Sequence, residues 1–213
     1  MGGYYDSKIM SINRLRVNTD GEGITTLVAF WGCKLKCKYC INPQCTKEKT
    51  YRVSASPREL VEFLSIDDIY FVSTGGGVVF GGGEPLLQNK YILDVGKLIP
   101  KKWQIRIETS LNDSWENIKI LTPNIDKWIV DIKDGNWDIY KKYTRVDGRK
   151  VYKNMLMLSE IVGKEKIDIR IPRIPEFNNE EDVARSVEKY KNLGNVEIFD
   201  YIKIGRASCR ERV

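Results

Sequence analysis

Four of the five cysteines fall between positions 33 and 45, and the chain has no histidine. The tightest group reads Cys33-Lys34-Leu35-Lys36-Cys37-Lys38-Tyr39-Cys40. A disulfide scaffold spreads its cysteines to staple distant segments, so clustering of this kind points to metal. Three thiolates from one loop can ligate three irons of a [4Fe–4S] cube. A fourth cysteine would close the cube as an electron-transfer cluster, whereas three leave one iron with an open site. The alternative is zinc, which ordinarily takes four protein ligands, often as two separated pairs. Cys45 can complete such a set, but the close-set run resembles no common zinc module; beside an iron cube Cys45 is a spare thiol. Lack of histidine removes the commonest imidazole ligand and the usual general base together.

A loop of this kind needs strands to hold it. Runs of β-forming residues at 26–31, 78–80, 104–107, 128–132, 167–171 and 196–199 read as six strands. Helical patterns lie between them. Ser56-Pro57-Arg58-Glu59 is a capping box with proline at the first helical position. Further helices are expected over 86–99, 115–121 and 152–162, the last with Met155 and Met157 as core residues. Asn179 caps another, which carries Val183, Val187 and Tyr190 and stops at Gly194. Strand–helix alternation predicts an α/β fold with parallel strands and right-handed crossovers, a partial (β/α)6 TIM-like barrel. A doubly wound open sheet is the alternative. In a barrel, chemistry collects at the C-terminal strand ends. The cysteines follow the first strand, Gly81-Gly82-Gly83-Glu84 the second, and Glu108-Thr109-Ser110 the third; Asp131 and Lys133 end the fourth. Arg170 points inward by alternation with Asp168, towards Asp131.

The spacing CxxxCxxC, with aromatic Tyr39 before its last cysteine, is the signature of the radical S-adenosylmethionine (SAM) superfamily. Residues 68–88, with Gly75-Gly76-Gly77-Val78 and then Gly82-Gly83-Glu84-Pro85-Leu86-Leu87-Gln88, resemble one family in particular, the glycyl-radical-enzyme activating enzymes of the pyruvate formate-lyase activating enzyme type. The likeness spans roughly residues 16–203, through 18–26, Asp131-Ile132-Lys133, Lys142-Tyr143-Thr144 and 170–175. It implies a [4Fe–4S] cluster on Cys33, Cys37 and Cys40, with SAM chelating the open iron. One electron passed to the sulfonium gives a 5′-deoxyadenosyl radical that takes hydrogen from a strong C–H bond. The resemblance implies that Gly82 and Gly83, through bare Cα atoms and free amides, let the backbone meet the methionine moiety. Glu84 bonds its amine or braces the turn. Tyr39 and Ile41 pack against adenine. Glu108, Thr109 and Ser110 contact ribose or a monovalent cation, Asp131 and Lys133 reach polar groups of the cofactor, and Arg170 pairs with Asp131 or the cofactor carboxylate. The implied partners are a glycyl radical enzyme as protein substrate and a flavodoxin or ferredoxin-type electron donor. Other readings are a radical enzyme acting on a small molecule or ribosomal peptide, and a non-enzymatic iron–sulfur or zinc protein. Ile41, Gly81 and Arg145 depart from the family's histidine, serine and glycine.

The 213 residues suffice for one domain, with 42% apolar and 30% charged residues, an ordinary soluble profile. No apolar run reaches the roughly 20 residues a membrane span needs, and the start has no signal-peptide pattern. Its Met-Gly-Gly opening carries Asp6 where a myristoylation signal has Ser or Thr. A cytoplasmic monomer with no membrane or nucleic-acid partner is expected. Residues 204–213, IGRASCRERV, resemble a translated sequencing adapter. The expected division is therefore a core domain over 1–203, incomplete at its C-terminus, and an artefactual tail. Without the tail's three arginines and one glutamate the net charge falls from +6 to +4, weak evidence for a polyanionic partner.

Overall fold

The computed structural model describes residues 7–47 and 54–201, so the adapter-like tail lies outside the described residues. Seven strands form one sheet in sequential order: β1 (Ile9–Val17), β2 (Ile24–Phe30), β3 (Gly77–Gly82), β4 (Gln104–Thr109), β5 (Lys127–Asp131), β6 (Ile167–Arg173) and β7 (Asn195–Asp200). From β2 to β7 every neighbouring pair is parallel, while β1 lies antiparallel to β2. A doubly wound sheet reverses its strand order at a switch point. This order never reverses, so the architecture is the partial barrel.

The six parallel strands match the six expected, and β1 is additional. It is a bulged edge strand, with register shifts between Ile9 and Ser11 and between Asn13 and Arg16, so it lacks the even alternation that marks a strand in sequence. Among the described residues seven α-helices accompany the sheet: α1 (Pro57–Leu64), α2 (Asp68–Thr74), α3 (Asn89–Gly96), α4 (Trp115–Lys119), α5 (Trp137–Thr144), α6 (Arg149–Val162) and α7 (Glu180–Tyr190). Both capping residues act as read: Ser56 and Asn179 each form a reciprocal box with the third helical residue, Glu59 and Asp182. The helix expected over 86–99 opens instead as a 3₁₀ turn, Pro85–Gln88, because the Glu84 carboxylate accepts from the Leu86 amide and tightens the start.

Alternation along the strands divides the chemistry between two faces. Val28, Phe30, Val78, Phe80, Ile107, Trp128, Val130, Ile169 and Ile171 face the helices. They join Leu60, Leu64, Phe71, Ile92, Val95, Met155, Leu158 and Val183 in one apolar core. Each such side chain contributes roughly 1.5–3 kcal/mol on burial. Met155 lies in this core as expected, and Met157 is half-buried. The inner face carries a small apolar cluster, Met10, Leu27, Ala29, Cys45 and Val79, and beyond it charged side chains.

Three ties lock the sheet's first edge. Asp67, fully buried, accepts from Arg14 Nη2 at 2.5 Å and from the Thr26 hydroxyl at 2.8 Å, joining β1, β2 and the turn before α2. Asp20 accepts from Arg16 at 2.7 Å and from the Thr25 hydroxyl at 2.8 Å. Arg106, itself buried, donates to the Asp20 carbonyl at 2.8 Å. Removing Asp67 would leave the buried Thr26 hydroxyl without its acceptor. Asp67→Ala is therefore expected to lower stability by about 1–3 kcal/mol, read as a lower midpoint in urea at unchanged slope.

Candidate active site

Beyond β2 the chain passes Gly32 and enters the loop of Cys33, Cys37 and Cys40. Backbone hydrogen bonds hold this loop. Gly32 N–H donates to the Cys45 carbonyl at 2.9 Å, Lys36 N–H to Thr144 at 2.9 Å and Lys38 N–H to Tyr143 at 3.0 Å. The last two acceptors close α5, where a helix has unpaired carbonyls. Loop and helix end thus satisfy each other. Tyr39 adds an aromatic clamp: it stacks on Tyr201 at 5.6 Å and meets Phe177 edge-on at 5.7 Å, while its hydroxyl donates to Glu176 at 2.7 Å. Tyr201 donates in turn to the Tyr39 carbonyl. Tyr201 thus covers one face of the Tyr39 ring, and Tyr39 also borders the cavity. Ile41 is 73% exposed.

The end of β3 is stitched to the end of β2. Gly83 N–H donates to the Phe30 carbonyl at 2.9 Å and Glu84 N–H to the Gly32 carbonyl at 2.7 Å. A Cβ on Gly83 would stand 2.2 Å from the Gly32 oxygen, and one on Gly82, at φ +93°, 2.7 Å from the Ala29 Cβ. Glycine is required here by strand against strand. The expectation of free amides is therefore corrected: those of Gly83 and Glu84 are taken by β2. Glu84 is buried and accepts from Thr109 Oγ1 at 2.5 Å, Ser110 Oγ at 2.6 Å, Ser110 N–H at 3.1 Å and Leu86 N–H at 3.3 Å. It braces β3 to β4. Burial pushes its pKa up, and these donors oppose that push.

The inner face beyond the brace is densely charged. Asp131 sits opposite Arg170 in the β5–β6 register. Its ion pair is with Lys133, at 3.1 Å. Arg170 approaches Glu108 and Glu197, each at 3.7 Å, and donates to the Thr19 carbonyl at 2.7 Å. The expected Arg170–Asp131 pair is thus replaced by bridges from β6 to β4, β7 and the β1–β2 loop. Burial and the neighbouring Asp131 raise the Glu108 carboxyl to about 7. Burial would depress the Lys133 ammonium, but Asp131 and Cys37 outweigh it and leave it above the ordinary lysine range.

Cys45 is buried, with its thiol in hydrogen-bonding reach of both Cys33 and Cys40. That contact lowers both partners, Cys40 to about 6, and raises Cys45 itself. Burial raises Cys37 to about 11. Cys33, Cys37 and Cys40 border one cavity from a single loop, a donor set that fits a cube in which each thiolate serves a different iron.

All of these parts border one cavity of about 770 Å³. Cys33, Cys37 and Cys40 line it together with Tyr39, Ile41, Gly82, Gly83, Glu84, Glu108, Thr109, Ser110, Asp131, Lys133 and Arg170. The sequence reading missed the lining from β1 and its following loop (Arg16, Asn18, Thr19), from α5 (Tyr143) and from β7 and beyond (Glu197, Phe199, Tyr201). Residues 142–144 and 18–26 had carried a signal as motifs without a role; Glu197 and Phe199 follow from strand alternation once β7 is placed.

Comparison with known proteins agrees with this geometry. The model of the radical SAM superfamily matches residues 28–188. The pyruvate formate-lyase-activating enzyme of Clostridium pasteurianum is 31% identical over 193 residues, covering 87% of this chain and 79% of that protein. The (2S)-3-sulfopropanediol dehydratase activating enzyme of Klebsiella oxytoca is 27% identical, covering 81% and 73%. The crystal structure of Streptococcus suis SuiB bound to S-adenosylmethionine shares the fold, at a TM-score of 0.64 and 16% identity over 82% of this chain and 39% of that one.

Two outcomes are expected of the site itself. Gly83→Ala forces β3 from β2 and should cost about 3 kcal/mol in urea denaturation. Glu108 holds its proton more tightly folded than unfolded, so its contribution to stability is full below about pH 4.5 and is lost as pH rises towards about 7. Glu108→Gln should flatten that part of the Tm–pH profile of the cluster-free chain.

Proposed function

The chain belongs to the radical SAM superfamily, in its branch of glycyl-radical-enzyme activating enzymes, and on that premise we propose that it takes the α-hydrogen from one glycine of a partner enzyme. Its cofactors are a [4Fe–4S] cluster and SAM. When bound, the pair supplies an electron to the sulfonium and so a 5′-deoxyadenosyl radical as the hydrogen-abstracting agent.

The chain's own residues do the rest by holding and excluding. Cys33, Cys37 and Cys40 carry the cluster. The turn at Gly82 and Gly83 is tied to β2, its Gly82 carbonyl accepts from Asn42 Nδ2 at 3.0 Å, and it forms the wall against which the methionine moiety rests. Glu84 keeps Thr109 and Ser110 in place: their hydroxyls donate to it and accept from the Leu111 and Asn112 amides, which sets the end of β4 at the cavity. Glu108 is the carboxylate best placed to attract a monovalent cation. Asp131 and Lys133 present one acceptor and one donor to the ribose. Arg170 keeps Glu108 and Glu197 apart.

The observation that carries the reading is that three thiols of one loop, the glycine turn and the charged strand ends line a single cavity, whose lining runs from Arg16 and Thr19 to Glu197 and Phe199. The glycyl radical enzymes are a natural substrate class, because the radical left on the glycine Cα is delocalised over the flanking amide and carbonyl.

Anaerobic reconstitution with iron and sulfide, then reductant and SAM, should release deoxyadenosine. A panel of glycyl radical enzymes added to the same mixture should include one that yields a glycine-centred doublet in electron paramagnetic resonance. Cys33→Ala should abolish both signals and the cluster's absorbance, whereas Cys45→Ala should keep all three. Deoxyadenosine without any protein radical across the panel would leave a SAM-cleaving enzyme and refute the activase reading.

A further inference from the structure

Cys45 has no part in the reading above, yet the fold holds it firmly. Its side chain is 1% exposed and packs with Met10, Leu27, Ala29 and Val79. Its backbone is tied on both sides. The Cys45 carbonyl accepts from Gly32 N–H at 2.9 Å, and its own N–H donates to the Asn42 carbonyl at 3.0 Å. The thiol thus has a fixed seat, within hydrogen-bonding reach of Cys33 and Cys40. Those two neighbours differ. Cys33 is half-buried and follows Gly32, which is stitched to both Cys45 and Glu84. Cys40 is exposed, and only residues 41–44 separate it from Cys45. Cys37 is half-buried, so Cys40 is the cysteine of the loop that a dissolved oxidant meets first.

We propose that Cys45 is a resolving thiol, which closes a disulfide with Cys40 when an oxidant strips the cluster and so spares Cys40 from irreversible oxidation. The inference rests on the cluster assigned above. An exposed thiol released from iron passes under peroxide from sulfenic to sulfinic acid, and the second step is not reversed by thiols. A second thiol in contact intercepts the first product. Hydrogen peroxide oxidises the Cys40 thiol to sulfenic acid and is itself reduced to water. The Cys45 sulfur then attacks the sulfenic sulfur: the S–S bond forms, the S–O bond breaks, and the hydroxyl leaves as water with the Cys45 proton. In sum, two thiols and one peroxide give one disulfide and two waters. Closing so short a loop costs little chain entropy. A dithiol reductant returns both thiols, and the loop can be loaded again. Burial keeps Cys45 itself from peroxide, so that it reacts through Cys40.

The test bleaches the reconstituted full chain with hydrogen peroxide, blocks free thiols with iodoacetamide and maps the tryptic peptides by mass spectrometry. Cys40 and Cys45 share one such peptide, residues 39–47. It should be recovered unalkylated and two hydrogens lighter, and should take two alkyl groups once reduced. Cys45 joined instead to Cys33 or Cys209, or left alkylated beside a Cys40 sulfinic acid, overturns the proposal. In Cys45→Ala the same treatment should carry Cys40 to sulfinic acid. After dithiothreitol and fresh iron and sulfide, this variant should regain about threefold less cluster absorbance than the unmodified chain. Cys45→Ser, close in shape but unable to form the bond, should behave alike. Equal recovery in all three overturns the proposal too. The peptide map needs no variant, so it stays decisive if a substitution disturbs folding. None of these readouts involves SAM: a missing disulfide leaves the activase reading standing, and missing deoxyadenosine leaves the disulfide standing. If no cluster forms in the unmodified chain, the cluster assignment fails first and takes this inference with it.

Discussion

At the junction of β2 and β3 two backbones run closer than any side chain allows. The Gly83 and Glu84 amides bind the Phe30 and Gly32 carbonyls, and a methyl group at Gly83 would overlap the Gly32 oxygen. Other relations in the site follow from this contact. It fixes where the cysteine loop departs, because Gly32 is its first residue. It also aims Glu84 sideways into Thr109 and Ser110, so that the end of β4 is set by the end of β3. Three consecutive strand ends are thus positioned by peptide groups and one buried carboxylate that four donors hold in place.

Past that brace the inner face becomes electrostatic. Glu108, Asp131, Lys133, Arg170 and Glu197 stand on neighbouring strands, and the arginine and lysine keep the carboxylates apart. Such a face is stable only because the apolar core lies on the other side of the sheet, where Phe30, Phe80, Trp128 and Ile169 bury against helices. One sheet thereby separates the work: its outer face supplies folding energy, and its inner face presents charge to a cavity. That separation lets the site carry unequal and repelling groups without unfolding the domain.

The cysteine loop is also two-sided. Inward, its thiols meet the cavity, with Cys45 buried against two of them. Outward, it leans on the C-terminal carbonyls of α5 and on the Tyr39 clamp.

Much of this was legible without coordinates. The CxxxCxxC spacing, the glycine turn and the polar strand ends are local patterns, and six parallel strands betray themselves as apolar runs between capped helices. What stayed hidden depended on contacts between distant segments. Strand β1 carries Arg14 and Arg16 and a bulge, so its pattern is broken until Asp67 and Asp20 are seen to receive those charges. Tyr39 reads as a free ring until Phe177 and Tyr201 close on it. Arg170 reads as a partner for Asp131 until Lys133 takes that carboxylate and Glu108 and Glu197 take the arginine. The neighbours of Cys45 stay unread until the fold buries its thiol against Cys33 and Cys40. Sequence determines which chemical groups exist and on which face of an element they stand, because local periodicity is a short-range property. Only the folded chain decides which charges meet, because that choice rests on the relative placement of strand ends whose residues lie far apart along it.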